Sequence, residues 1–202
     1  MDGLLETLRT SCRPMHQQVE QTFLLTSLVN RTIHLPHYRM LIQAMYEVCC
    51  DFYPYLQRNL QQTEFTNFVS PACRVSELKR DLHLLGQAVN YTPNPLMNVE
   101  DDPEVALGAM YVLLGSANGA QYLAKLIDQN PHEEVKRARH FFTHDSEGRL
   151  VTWRAFIEKL GNLAFNPTQQ TKIATSAINT FYLIKTKLDI AVAADGSEVK
   201  YG

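Results

Sequence analysis

The sequence predicts an all-α fold in a single domain, and three observations predict it. Apolar residues return every three to four positions along most of the chain. No stretch alternates cleanly at period two, so little or no strand is expected. Prolines, asparagines and glycines punctuate the periodic segments where helices would start and stop. A chain of 202 residues can bury one sizeable core. No internal repeat, low-complexity run or linker splits it. The reading is one multi-helix bundle of about seven to nine helices over residues 1–193, followed by a polar tail, 194–202.

The first helix is read from Leu4, Leu5, Leu8, Cys12, Met15, Val19 and Phe23, with Pro14 as a kink or restart point. A second follows Leu35-Pro36 and turns Tyr38, Leu41, Ile42, Met45, Val48, Cys49 and Phe52 inward, until Pro54 bends or ends it. Thr63 to Pro71 reads as a looser connection. Arg74 to Val89 reads as a helix with Leu78, Leu82 and Leu85 inward and Lys79, Arg80 and Asp81 outward. Tyr91 to Pro103 is the longest evident loop. It leads into a helix with Asp102 as N-cap and Pro103 in the first turn. A short helix from about His132 to Phe142 follows the break at Asn130-Pro131. His144 to Gly148 forms a turn, and further helices run from about Leu150 to Leu163 and from Pro167 to near Val192, the last capped by Asn166.

The helix after Pro103 organises the rest. From Val105 to Ala124 it carries no charge, the mark of a helix buried on nearly all sides. A membrane span is the rival reading, but Ser116, Asn118, Gly119 and Gln121 put a polar, flexible block inside the run. Glycine costs a helix about 1 kcal/mol relative to alanine, so Gly115 and Gly119 call for a reason. Either another helix or a bound ligand comes close to the backbone there.

Composition removes several function classes. A net charge of −2 gives no cationic field for nonspecific nucleic-acid binding. Cys12, Cys49, Cys50 and Cys73 form no C-x-x-C pair and read as reduced, buried thiols of a cytoplasmic protein. The N-terminus has an acid at position 2 and no long apolar core of a secretory signal. There is no Glu-x-x-His, His-Glu-x-x-His, P-loop, dinucleotide fingerprint or Gly-x-Ser-x-Gly elbow, and no zinc-spaced Cys/His cluster.

What remains is a histidine on the first helix. His16 shares a helical side with Arg9 and Arg13, and Glu20 lies one turn further on. Met15, Val19 and Phe23 border it with apolar surface. Glu20 at i+4 can accept from an imidazole and orient it, as metal-bound histidines require. The arginines can meet carboxylates of an anionic ligand. The alternative is a solvated charged face, or a histidine satisfied within the core.

The segment LRTSCRPMHQQVE, with its acid four residues after the histidine, resembles the proximal motif of the haem oxygenase family. ALGAMYVLLGSANGAQYLAK resembles the distal run of that family, A-L-G-x-x-Y-V-x-x-G-S-x-x-G-A/G. LPHYRMLIQAMYEV, Phe141-Phe142, Trp153-Arg154-x-Phe156 and the segment Pro167 to Leu188 resemble its other helices, so the likeness covers nearly the whole chain. The resemblance implies haem b between a proximal and a distal helix. His16 would be the iron ligand and Glu20 its orienting acid. Arg9, with Arg13 and Arg154 as further candidates, would face the propionates, and Phe181 would face the haem. Gly115 and Gly119 would let the distal backbone lie against the haem, with Ser116 beside the water network. It also implies dioxygen as co-substrate and electrons from a reductase or ferredoxin, since the chain has no flavin or iron–sulfur motif. The products would be biliverdin, ferrous iron and carbon monoxide. This chain has Ser116 where many members carry Asp, Leu114 where bacterial relatives often carry Glu, and Ala120 where others have Gly. A haem carrier or sensor without turnover, and a protein of the same fold that binds no haem, are the alternatives.

Overall fold

The computed structural model describes residues 3–94 and 101–194. Among these there is no strand, and eleven α-helices plus one 3-10 turn form the fold, more than the sequence suggests because three expected helices are each divided and a further short helix fills an expected connection. The expected tail lies outside the described residues apart from Ala194, as does the middle of the loop after Tyr91.

Helix α1 (Leu4–Glu20) buries Leu4, Leu8, Cys12 and Val19, and Pro14 lies within it without ending it. It stops at Glu20, so Phe23 belongs to the next helix, α2 (Phe23–Val29). Helix α3 (Leu35–Leu60) runs through Pro54 rather than ending there. Proline inside a helix costs about 3 kcal/mol. Beyond it, Tyr55, Leu56 and Leu60 are almost wholly buried, and each such side chain returns about 1.5–3 kcal/mol. The burial term wins.

The expected loose connection instead holds a 3-10 turn, Thr66–Phe68, and α4 (Val69–Cys73). Phe65 and Phe68 pack there on Phe156, which is why the segment is ordered. Arg74 then takes a left-handed conformation, φ 46° and ψ 41°, and separates α4 from α5 (Val75–Leu84). Gly86 at φ 70° ends α5: its N–H donates to the His83 carbonyl and that of Gln87 to Leu82. This is a Schellman-type stop, so the helix is shorter than the apolar period suggests. Leu78, Leu82 and Leu85 face inward as expected, but Asp81 does too, with no exposed surface. Its carboxylate accepts from the His140 and Phe141 amides, each at 2.8 Å, which offsets the burial of an acid.

The uncharged stretch forms two helices, α6 (Pro103–Gly115) and α7 (Ala117–Ile127), which meet at Ser116. Asp102 caps α6, accepting from the Glu104 and Val105 amides at 2.8 and 3.4 Å. After it come α8 (Glu133–Arg137), α9 (His140–Thr143) and α10 (Ser146–Gly161). The expected short helix is thus two, and α10 begins inside the expected turn, where Asp145 caps it in a left-handed conformation. Helix α11 (Pro167–Ala193) starts at a capping box of Asn166 and Gln169.

Helix α11 is the common wall, with α1, α3 and α6 all packed along it. Its crossing with α6 depends on a glycine the sequence reading passed over. A Cβ on Gly108 would overlap the Ile173 carbonyl and the Ser176 side chain. At this crossing the Ser176 hydroxyl donates to the Val105 carbonyl at 2.6 Å. No helix among the described residues is long and apolar enough to cross a membrane.

Candidate functional site

His16 lies on α1 where that helix runs along α11. Its side chain is 53% exposed, and its ring stands edge-on to Phe181 with centroids 5.3 Å apart. Nδ1 faces the Glu20 carboxylate at 3.6 Å. Among the described residues no hydrogen-bond partner reaches Nε2. The spacing explains this arrangement: four residues bring Glu20 one turn beyond His16, while Cys12 and Val19, four residues before and three after His16, bury the adjoining strip of the same side of α1.

The arginines are spread more widely. Arg9 donates to Glu6 at 2.8 Å on exposed surface. Arg13 on α1 and Arg154 on α10 are also exposed. Long cationic side chains in water keep the freedom to turn towards an anion.

The two glycines of the distal segment face different neighbours. At Gly115 a Cβ would come within 3.3 Å of the Trp153 ring, so this glycine admits the indole of α10. At Gly119 nothing among the described residues lies within 4 Å of that position. Its open side is where something else can approach the backbone. Tyr111 stacks at a tilt on Trp153, centroids 5.3 Å apart. Burial pushes its hydroxyl pKa up and Cys12 adds to this, while Arg9 opposes it, so Tyr111 links α6 electrostatically to α1.

Between those glycines the helix breaks, and a polar network meets the break. Ser116 donates to the Leu113 carbonyl at 2.7 Å and accepts from the Arg74 guanidinium at 2.7 Å. The other terminal nitrogen of Arg74 donates to the Phe141 carbonyl at 2.8 Å. Arg149 donates to that carbonyl as well, at 2.7 Å, and to the carbonyl of Phe142. Both arginines are buried. Burial, with Arg149 beside it, lowers the Arg74 pKa to about 10, and burial lowers that of Arg149 too. At neutral pH Arg74 still carries its charge. Sequence reading missed both, and for Arg74 a signal exists: Arg74, Leu78, Asp81, Leu82 and Leu85 share one helical stripe, so a cation and an acid lie on an apolar face.

The four cysteines are buried thiols, as expected. Burial pushes Cys12 up to about 11 and Cys49 up to about 12, which makes both poor nucleophiles. Two cavities of about 500 Å³ lie elsewhere, one between Val105 and the start of α11, the other between α3 and the end of α11. Neither is lined by His16, Ser116 or Gly119.

An all-α bundle with a histidine on the first helix, an aromatic on the last and a broken glycine-bearing helix defines a haem-oxygenase-like architecture. The "Heme oxygenase" family model matches residues 2–188. The chain belongs to the haem oxygenase family. Heme oxygenase-1 from the cyanobacterium Synechocystis, solved in complex with heme, aligns with a TM-score of 0.70 at 15% identity, over 96% of each chain. The heme oxygenase of Leptospira interrogans gives 0.70 at 19% identity, over 94% of this chain and all of its own. A TenA homologue from P. horikoshii gives 0.69 at 11% identity, over 94% of this chain and 98% of its own, so the fold is also that of a protein named for a different family. No curated protein matches the sequence.

Proposed function

We propose that this protein is a haem oxygenase, one domain over residues 1–193, which cleaves haem b oxidatively to biliverdin, ferrous iron and carbon monoxide. The observation that carries the reading is His16. Its imidazole has one nitrogen turned to a carboxylate and the other without a partner among the described residues, in a chain whose family match spans both helix motifs. A neutral imidazole so held is a competent iron ligand. The surroundings fit a flat apolar macrocycle with anionic arms. Phe181 offers a ring edge, Gly119 leaves its backbone open, and Arg9, Arg13 and Arg154 supply cations for propionates.

Bound haem would supply the iron and the porphyrin edge at which dioxygen, with external electrons from a reductase or ferredoxin, does the chemistry. The chain's own residues bind and orient. His16 holds the haem on the proximal side, and Glu20 fixes the imidazole orientation through Nδ1. Gly119 sets how closely the distal backbone approaches, and Ser116 provides a hydrogen-bonding group at the helix break.

The test is an absorbance time course of protein mixed with haem and then given a reductant, beside His16→Ala. Soret decay with a rising biliverdin band, lost in the variant, is expected. A stable His16-dependent Soret band would mean a haem carrier or sensor. Failure of the wild-type protein to produce any Soret shift would overturn the haem reading and leave only the fold.

A further inference from the structure

We propose that Arg74 is the positioning residue of the distal helix break, and that it turns Ser116 into an acceptor-only group for an ordered water. The inference rests on the haem oxygenase reading and names how its distal side is held. A serine hydroxyl has one proton and two lone pairs. The Ser116 proton is committed to the Leu113 carbonyl at 2.7 Å, and one lone pair is committed to Arg74 at 2.7 Å. The remaining lone pair can only accept. A water that donates to it has its second proton directed away from Ser116, towards whatever occupies the open side of α7.

Arg74 is not needed for the other bond it makes. The Phe141 carbonyl already accepts from Arg149 at 2.7 Å. Among the described residues only Arg74 donates to the Ser116 hydroxyl. Without it, the hydroxyl of a serine at a helix end is free to rotate between nearby carbonyls and solvent. The guanidinium is held for the task on three sides. It lies over the Phe141 ring at 4.0 Å, Arg74 as a whole is 6% exposed, and the residue's backbone sits in the left-handed region at φ 46°. A non-glycine residue is strained there, so replacing Arg74 by glycine would be easier on the backbone and still lose the bond. The charged and titratable groups that act on Arg74 are Arg149, Cys49, Glu77 and Cys73.

The test is a mutant cycle of Arg74→Met, Ser116→Ala and the double variant, with Arg74→Lys as the conservative control. Three readouts are taken. The first is amide exchange of residues 113–120 in protein without haem. The second is the pH midpoint of the spectral change of the ferric haem complex. The third is the rate of haem loss under reductant. Arg74→Met is expected to speed exchange at the break, to shift the midpoint in the same direction as Ser116→Ala, and to slow haem loss roughly ten- to a hundredfold. The double variant is expected to be no worse than Arg74→Met, because the two residues act as one unit, and Arg74→Lys is expected to recover part of each change. If Arg74→Met does not fold, Arg74→Lys takes its place in the cycle, with an intermediate effect that disappears in the Ser116→Ala background. Wild-type exchange and midpoint in the folded Arg74 variant, or effects of the two changes that multiply, would overturn the proposal. A wild-type protein without a Soret band would instead defeat the haem reading, while the exchange measurement would still report on the Arg74 contact.

Discussion

His16 is useful because of what touches only one side of it. The Glu20 carboxylate lies 3.6 Å from Nδ1, and a neutral imidazole with its proton turned to that carboxylate would leave the Nε2 lone pair available. A partner of this kind raises ligand basicity and fixes the ring plane, and its loss typically costs ten- to a hundredfold in metal affinity. Glu20→Gln keeps an acceptor without the charge, so haem binding followed by Soret titration should weaken by about tenfold at most. Glu20→Ala should weaken it further, with the fold intact because Glu20 is exposed. Unchanged affinity in both variants would show that His16, if it binds haem, needs no orienting acid. The residue scale is also where sequence reading was most limited. The i, i+4 relation of His16 and Glu20 is local and legible. The bond from Arg74 to Ser116 joins residues 42 positions apart, and no period in the sequence encodes it. Asp81 was read as outward-facing although it is buried, because its partners, the amides of His140 and Phe141, come from a distant helix.

At the scale of elements, the two glycines Gly108 and Gly119 should respond oppositely to a side chain. Gly108 sits where α6 meets α11, and a methyl group there would overlap the Ile173 carbonyl. Gly108→Ala gains helix propensity of about 1 kcal/mol but forces two packed helices apart, at a cost of about 1–3 kcal/mol. Net destabilisation is expected, read as a lower urea midpoint. A Cβ at Gly119 would meet nothing within 4 Å among the described residues and the residue is exposed, so Gly119→Leu should leave stability unchanged or raise it by up to about 1 kcal/mol. The same change should block the approach of haem to α7 and remove the Soret band. A stabilised Gly108→Ala, or a Gly119→Leu that still binds haem normally, would contradict these assignments. The elements themselves were largely readable, since the caps at Asp102 and Asn166 and the prolines that follow them are local signals. Pro54 and the glycine-serine break misled in opposite directions. Tertiary burial carried α3 through a residue that usually ends helices, and a run with continuous apolar character was divided at Ser116.

At the scale of the whole molecule, α11 ties the site to the stability of the bundle. Along its length Lys172 reaches Asp102, Ser176 meets α6, Phe181 faces His16 and Lys187 joins Glu47 of α3. The start of α6 and the start of α11 are therefore pinned by one carboxylate. Burial works to raise the Asp102 pKa, but the neighbouring Glu104 carboxyl, which shares a proton with it, the Lys172 ammonium and the Glu104 and Val105 amides hold it down at about 2. The folded value lies below the ordinary carboxylate range, so the ionised form contributes stability that is fully present above the unfolded pKa of about 4 and is lost as pH falls towards 2. A gap of this size corresponds to about 2 kcal/mol. Asn is as good an N-cap as Asp, so Asp102→Asn isolates the charge from the cap. Urea unfolding should find the variant less stable by about 1–2 kcal/mol at pH 6, with the difference shrinking below pH 4 and vanishing near pH 2. A difference that stays constant across that range would mean that geometry at the cap, and not the carboxylate charge, holds α6 to α11.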